Sequence, residues 1–366
     1  MGPGSLQEQN TLADAETLCS AERYSANVEN MAGTVKVPLG VIGPLRINGL
    51  HAWGDYFVPL ATTEAALVAS HARGAEIVTR SGGATAAMLF DGVLRSPGFK
   101  FRNLLESGIF IDWVARSCDV LKTAADSTSR YAKLVSIEPI MDNENVFLSC
   151  RYTTGDAAGQ NMVTIATEAL CRYIEEHCPL QPLHWFIEVN CSGDKKSTYL
   201  GLITGRGRKV TASVTIGQDL VRRYLHTDVE RILECARMSS VGALLCGQIG
   251  AQGHFANGLA ALYIATGQDA ACVAESSVGF TRMEARGNDL FVAVTLPNLL
   301  VGSVGGGTGL PSQSAALRLM GLQGAGKAAA LAEVAATLCL CGEISIVGAI
   351  AAGDFASAHR KLARQR

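Results

Sequence analysis

Asn190-Cys191-Ser192-Gly193-Asp194-Lys195-Lys196 is a short, polar, glycine-bearing stretch between two apolar segments, 183–189 and 199–203. Asn, Ser, Gly and Asp in succession mark a loop, because each tolerates unusual dihedrals or bonds its own backbone. Two adjacent lysines beside an aspartate focus positive charge there. A solvated surface turn would read the same way, so the chemical reading depends on what surrounds the loop.

Upstream, residues 97–186 differ in texture from the rest: they are poorer in glycine and alternate helix and strand patterns. The spacing predicts a helix over 112–125, strands over 132–140 and 146–153 joined by a turn at 141–145, and a helix over 162–177. Helix, two strands and a helix make a compact inserted α/β unit, with the opening loop at its exit.

On the N-terminal side, 6–30 reads as a short helical region with Leu12, Ala15, Leu18 and Ala21 on one stripe. Met1-Gly2-Pro3-Gly4-Ser5 reads as a tag remnant. Proline and glycine punctuate 35–45 as short extended pieces, and 57–60 is a strand. Thr62-Thr63-Glu64 opens a helix through about Thr79, with Glu64 in its first turn. A strand and turn at 88–92 lead toward Arg95. Downstream come a strand at 209–216, a mostly helical 219–247, a segment at 252–265 that turns from polar to apolar, and a strand at 291–296. Helices follow at 313–320 and 328–340, then a separate segment from Glu343. The expected organisation is an N-terminal part (1–28), a large domain (29–96 and 187–366) and an inserted domain (97–186).

With 366 residues, 48% hydrophobic and 17% charged, the chain has material for a large core. A formal net charge of -2 argues against a nucleic-acid binder. Eleven cysteines without paired C-x-x-C motifs argue against structural zinc, and no metal site is expected. Such cysteines suit a reducing cytoplasm. No apolar run is read as reaching the ~18–20 residues that span a bilayer, because Glu333 and Glu343 interrupt the best one.

Single motifs are weak. The segment from Gly321 to Ala328 nearly matches the phosphate-binding loop of NTPases, but Ala328 has no hydroxyl for magnesium and a helical run precedes it. It reads as a helix-to-helix joint. The stretch Gly305-Gly306-Gly307-Thr308-Gly309 lacks the third spaced glycine of a dinucleotide fingerprint. The loop from Thr154 to Met162 precedes a helix, so its free N–H groups suit an anion or a plain cap equally. Ser129-Arg130 suits a 2′-phosphate or a plain surface.

Taken in order, the motifs resemble the catalytic portion of 3-hydroxy-3-methylglutaryl-CoA reductases. The resemblance rests on Glu29-Asn30, the run from Pro38 to Leu45, Ala61-Thr62-Thr63-Glu64, Gly155-Asp156 with Gly159 and Asn161-Met162, and Asp194-Lys195-Lys196. Gly267-Gln268-Asp269, Gly305-Gly306-Gly307-Thr308, and Ala351-Ala352-Gly353 with His359 complete it. Ala61-Thr62-Thr63-Glu64 marks the class typical of eukaryotes and archaea, class I. The resemblance implies an α+β fold: a large mixed α/β substrate domain, an inserted ferredoxin-like cofactor domain and a small N-terminal helical part. It implies NADPH-dependent reduction of 3-hydroxy-3-methylglutaryl-CoA to mevalonate by a homodimer or homotetramer with its site at the subunit interface. A catalytically weak coenzyme A-binding relative is the alternative.

Roles implied by position are as follows. Lys195 stabilises the oxyanion, Glu64 is the general acid, Asp269 couples the two, and His359 protonates the departing thiolate. Arg95, Ser192, Asp194 and Lys196 hold the acyl group. Ser70, Arg73, His254, Asn257 and Ser345 line the coenzyme A side. Ser129, Arg130, Asp156, Gly159, Gln160, Asn161 and Arg364 hold NADPH. Two departures stand out. Glu188 replaces a family serine where a carboxylate would repel the substrate's own unless protonated or turned away, and Gln160 replaces a family methionine.

Overall fold

The computed structural model describes residues 6–354. Three short helices, α1 (Leu6–Leu12), α2 (Ala15–Cys19) and α3 (Ala21–Ser25), precede a two-stranded antiparallel sheet of β1 (Leu39–Asn48) and β2 (Trp53–Ala61). Helix α4 (Leu67–Arg80) and strand β3 (Thr85–Arg95) follow. The inserted stretch carries β4 (Gly98–Lys100), α5 (Leu104–Arg116), α6 (Cys118–Asp126), β5 (Lys133–Asp142), β6 (Asn145–Thr153), α7 (Gln160–His177) and β7 (His184–Phe186). The remainder comprises α8 (Tyr199–Thr204), β8 (Gly207–Ile216), α9 (Gln218–Leu225), α10 (Val229–Leu245), β9 (Gly250–Ala251), α11 (Phe255–Thr266), α12 (Val273–Ser276), β10 (Gly279–Arg286), β11 (Asp289–Leu299), α13 (Pro311–Leu319) and α14 (Ala328–Ala352).

Strands β3 to β11 form one sheet in the order β7-β4-β6-β3-β8-β11-β10-β9, with β5 on the outer side of β6. Strand β3 joins its two halves. Thr85 to Gly92 pair with β8, and Val93 to Arg95 pair with β6. Within the inserted stretch the order β7-β4-β6-β5, with helices between β4 and β5 and between β6 and β7, is that of a split βαβ, ferredoxin-like unit. The chain enters it just after Arg95 and leaves it through Glu188 and Val189. These two crossings are tied together, because the Val189 N–H donates to the Ser96 carbonyl at 3.2 Å. That tie places the loop at 190–196 against the end of β3.

In β8, Val210, Ala212, Val214 and Ile216 are buried at period two. Helix α14 packs against β8, β11, β3 and α4 and is buried nearly all round, as an apolar helix without a polar face must be. It corrects two sequence expectations. The segments at 328–340 and from Glu343 are one helix, because nothing between them breaks helical geometry. By length and composition it is also long and apolar enough to cross a membrane, but 83% of its most apolar window is buried inside the protein, which makes it the core helix.

Other boundaries also move. The helix expected over 112–125 is two helices broken at Ser117. The turn expected near 92 is instead uninterrupted strand β3, with an irregular register between Met88 and Phe90. Glu64 lies three residues ahead of α4, whose N-cap is Ala66 in the left-handed region, so it stands before the first turn rather than in it.

Candidate active site

The loop holds its lysine in an unusual backbone state. Lys195 has φ 54°, and Asn190 and Gly193 also have positive φ. For a lysine this costs about 1 kcal/mol and persists only where the surroundings impose it. Here the Lys195 N–H donates to Glu275 Oε1 at 3.0 Å, and the Lys196 N–H donates to the Gly193 carbonyl. Ser192 is buried, its hydroxyl accepting the Asp194 N–H at 3.3 Å. The Lys195 ammonium projects out of this turn and meets Asp269 Oδ2 at 2.8 Å, both side chains near 40% exposed (44% and 40%). Hydrogen bonding to Asp269 raises the Lys195 pKa, so the group remains cationic at physiological pH.

Asp269 is placed by its own turn. It follows the C-terminal glycine of α11, and its carboxylate accepts the Ala271 N–H. Glu64 is held by other contacts. Its carboxylate accepts from Asn257 Nδ2 at 3.4 Å, and its N–H is held by the Thr62 hydroxyl.

Beneath the lysine lies a network that the sequence reading did not assemble. Arg206 is almost fully buried and ion-pairs with Glu275, itself buried, and with Asp194 at 3.1 Å. Burial pushes Glu275 up despite that partner. Arg95, at the end of β3, reaches Asp194 and Glu188, both at 3.2 Å. Burial pushes Asp194 up, but Arg206 and Arg95 outweigh it and hold its carboxyl below the ordinary value. Gln160 belongs to the same network: its amide donates to Asp194 at 2.9 Å and accepts from Arg206 at 2.6 Å. The one sequence signal for Arg206 is its position between Gly205 and Gly207, an arginine at a forced turn. Glu275 gives no signal, because its partners come from two other segments.

Glu188 is turned onto Arg95 rather than left facing an anion, and it also accepts the Ser96 N–H at 3.4 Å. Lys196 curls back, its ammonium donating to the Asp194 carbonyl at 3.0 Å.

A second group sits between α4, α11 and α14. The Ser70 and Ser345 hydroxyls meet at 2.9 Å, and Arg73 donates to the Ser345 hydroxyl and carbonyl. His254 stacks on His71 and lies 3.4 Å from Glu343. Burial lowers the His71 pKa to about 4, leaving a neutral ring.

The remaining sequence-selected residues gather at the start of α7. Its N-cap is Gly159 with φ 81° and no side-chain cap, so the first N–H groups of an 18-residue helix are open to an anion. Exposed Asn161 is on that turn. The Ser129 hydroxyl donates to Met162 Sδ at 3.6 Å, placing exposed Arg130 beside it. Asp156 is already engaged, accepting the Gly326 and Ala328 N–H groups at 2.7 and 3.1 Å and so tying this loop to the α13–α14 joint. A Cβ on Gly302 would meet the Ala158 nitrogen at 2.6 Å, so the glycine-rich segment packs on the same loop. His359 and Arg364 lie outside the described residues.

A family model described as hydroxymethylglutaryl-coenzyme A reductase matches residues 5–364. The 3-hydroxy-3-methylglutaryl-coenzyme A reductase of Aeropyrum pernix is 44% identical over 349 residues, covering 94% of this chain and 83% of that one. The enzyme of the same name from Methanocaldococcus jannaschii is 40% identical over 345 residues, covering 92% and 85%. Among solved structures, the class II 3-hydroxy-3-methylglutaryl-CoA reductase from Streptococcus pneumoniae bound to NADPH superposes with TM-score 0.72 at 20% identity, covering 95% of this chain and 97% of that one. At that identity the likeness shows the fold.

Proposed function

The chain belongs to the hydroxymethylglutaryl-coenzyme A reductase family, and from that premise we propose how its residues divide the reduction of 3-hydroxy-3-methylglutaryl-CoA to mevalonate and coenzyme A. The observation that carries the reading is the Lys195–Asp269 pair, a permanently charged ammonium on a constrained left-handed turn.

NADPH, when bound, supplies the two hydrides. The open N-terminus of α7 with Arg130 alongside fits an anionic dinucleotide, and Ser129, Gly159 and Asn161 line the same turn. Asp156 shapes that loop through the α14 N-terminus, and Gln160 links it to Asp194. Lys195 faces the carbonyl oxygen on which negative charge develops at each reduction, and a fixed cation there lowers the barrier. Asp269 keeps Lys195 protonated and oriented. Glu64, positioned by Asn257, delivers a proton to the developing alkoxide. Between the two reductions the carbon–sulfur bond breaks, and His359 protonates the departing thiolate. Arg95, Asp194, Ser192 and Lys196 hold the acyl carboxylate and hydroxyl. Ser70, Arg73, Ser345, His254 and Asn257 face the coenzyme A side, and the cofactor role of Arg364 rests on the family resemblance alone.

In this reading 97–186 is the cofactor-binding unit, 29–96 with 187–366 the substrate unit, and 1–28 an N-terminal helical part. The site is completed across a homodimer or homotetramer interface. Two features support this: Lys195, Asp269 and Glu64 are exposed on the single chain, and α10 presents Met238, Val241, Leu244 and Leu245 to solvent, the last 84% exposed. Class I is supported by Ala61-Thr62-Thr63-Glu64 and by identity of 44% to the archaeal enzyme against 20% to the class II structure. Eleven unpaired cysteines, five of them buried and pushed well up by burial, suit a reducing cytoplasm.

Steady-state NADPH oxidation with 3-hydroxy-3-methylglutaryl-CoA tests the assignment. Glu64→Gln is expected to cut kcat by about 10²–10⁴ with little change in KM. A variant that keeps the wild-type kcat removes Glu64 from the mechanism. A fully active monomer in ultracentrifugation removes the interface.

A further inference from the structure

Arg95 already carries an anion of its own. Its Nη1 is shared between Glu188 and Asp194, each at 3.2 Å, long for charge-assisted bonds, which run at about 2.7–2.9 Å. The Lys195–Asp269 contact, at 2.8 Å, falls within that range. Arg95 is 8% exposed, so water does little to relieve a poorly matched pair. The same contact leaves three buried polar atoms without hydrogen-bond partners: Arg95 Nε, Ser96 Oγ and Glu188 Oε1. Natural interiors rarely leave such atoms unpaired, and three in adjoining groups mark a place where a further polar ligand improves the fit. A buried guanidinium edge beside a hydroxyl suits a carboxylate, which it binds through two parallel N–H groups. Glu188 stands against the same guanidinium and is 21% exposed, which leaves it a path outward.

We infer that Glu188 is a specificity-determining residue of the acyl pocket: an internal carboxylate on Arg95 that the substrate's free carboxylate displaces on binding. The inference rests on the assignment of Arg95 to that carboxylate. Its consequence is selective. Glu188 weakens binding of acyl chains that end in a carboxylate and leaves neutral chains unaffected. It acts on KM rather than on the chemical step, because neither Glu188 nor Arg95 touches the carbonyl.

Steady-state kinetics with two thioesters test this: 3-hydroxy-3-methylglutaryl-CoA and 3-hydroxy-3-methylbutyryl-CoA, whose tail ends in a methyl group. Glu188→Gln and Glu188→Ser are both expected to lower KM for the first by about tenfold, the scale of one like-charge contact at a partly exposed site, with kcat within about twofold. KM for the second should not move. If KM for the carboxylate substrate rises or stays unchanged in both variants, or if kcat falls, Glu188 braces Arg95 and the inference is overturned. Arg95→Met separates the underlying assignment. Loss of the preference for the carboxylate substrate supports the role of Arg95. A retained preference sinks that role, and with it the role of Glu188.

Discussion

Glu333 and Glu343 on α14 and Asp194, Asp269 and Glu188 around the loop at 190–196 are carboxylates of one fold held by different kinds of partner. Glu333 accepts backbone N–H groups from His51, Ala52 and Met88, and Glu343 accepts those of Gly253 and His254 together with the Thr281 hydroxyl. Burial pushes Glu343 up, but these donors with His254 bring its carboxyl below the ordinary value. The loop carboxylates are held mostly by side-chain cations and an amide rather than by backbone donors. Fixed donors turn a buried charge into a clamp between segments. Movable cations leave a charge able to exchange partners with a substrate. The same residue type therefore serves architecture in one set of positions and chemistry in another.

The comparison can be broken from either side. The largest effect on activity is expected at the exchangeable end. Asp269→Asn, which removes the carboxylate charge that holds the Lys195 ammonium, is expected to reduce kcat by about 10²-fold with an unchanged melting temperature, measured by NADPH oxidation and thermal denaturation. A large loss of stability instead would make Asp269 a clamp like Glu333.

At the fixed end, Glu333→Ala leaves three donors without their acceptor and should cost about 3–5 kcal/mol of stability by denaturant unfolding. Activity per folded molecule should be retained.

The neutral ring of His71 gives a third, smaller effect. Its folded pKa is lowered to about 4 from 6.5, so the unfolded chain binds more protons between those values. Stability should therefore fall as pH drops through that window, by about 2–3 kcal/mol. His71→Gln should flatten that part of the stability profile. Smallest is Asn257→Ala, expected to lower kcat by about five- to tenfold through loss of orientation of Glu64, with stability unchanged.

Much of this was legible in the sequence, for identifiable reasons. The strands at 209–216 and 291–296 and the helix over 162–177 follow from periodicity that tertiary packing reinforces. Strand β10 gives little sequence signal, because Thr281, Arg282 and Glu284 leave Met283 as the one apolar residue of that stretch, which a strand exposed on one face can tolerate. The single helix α14 was divided because Glu343 read as an interruption, whereas its charge is satisfied by backbone donors from a distant segment. Lys195 and Asp269 were brought to attention by ordered motifs, and the fold joins them. Arg206, Glu275 and the contact of Gln160 with Asp194 were not, since each depends on pairings between segments far apart in the chain. Glu188 was legible as a departure, but its orientation toward Arg95 was not, because that depends on the crossing of the chain at Ser96 and Val189.

The central claim is that the ammonium of Lys195 stabilises charge on the reacting carbonyl oxygen. Its most direct test is single-turnover hydride transfer from NADPH to 3-hydroxy-3-methylglutaryl-CoA by Lys195→Ala, alongside calorimetric binding of both ligands. The prediction is a rate reduced by about 10²–10³-fold with both ligands still bound. Hydride transfer at the wild-type rate would contradict it.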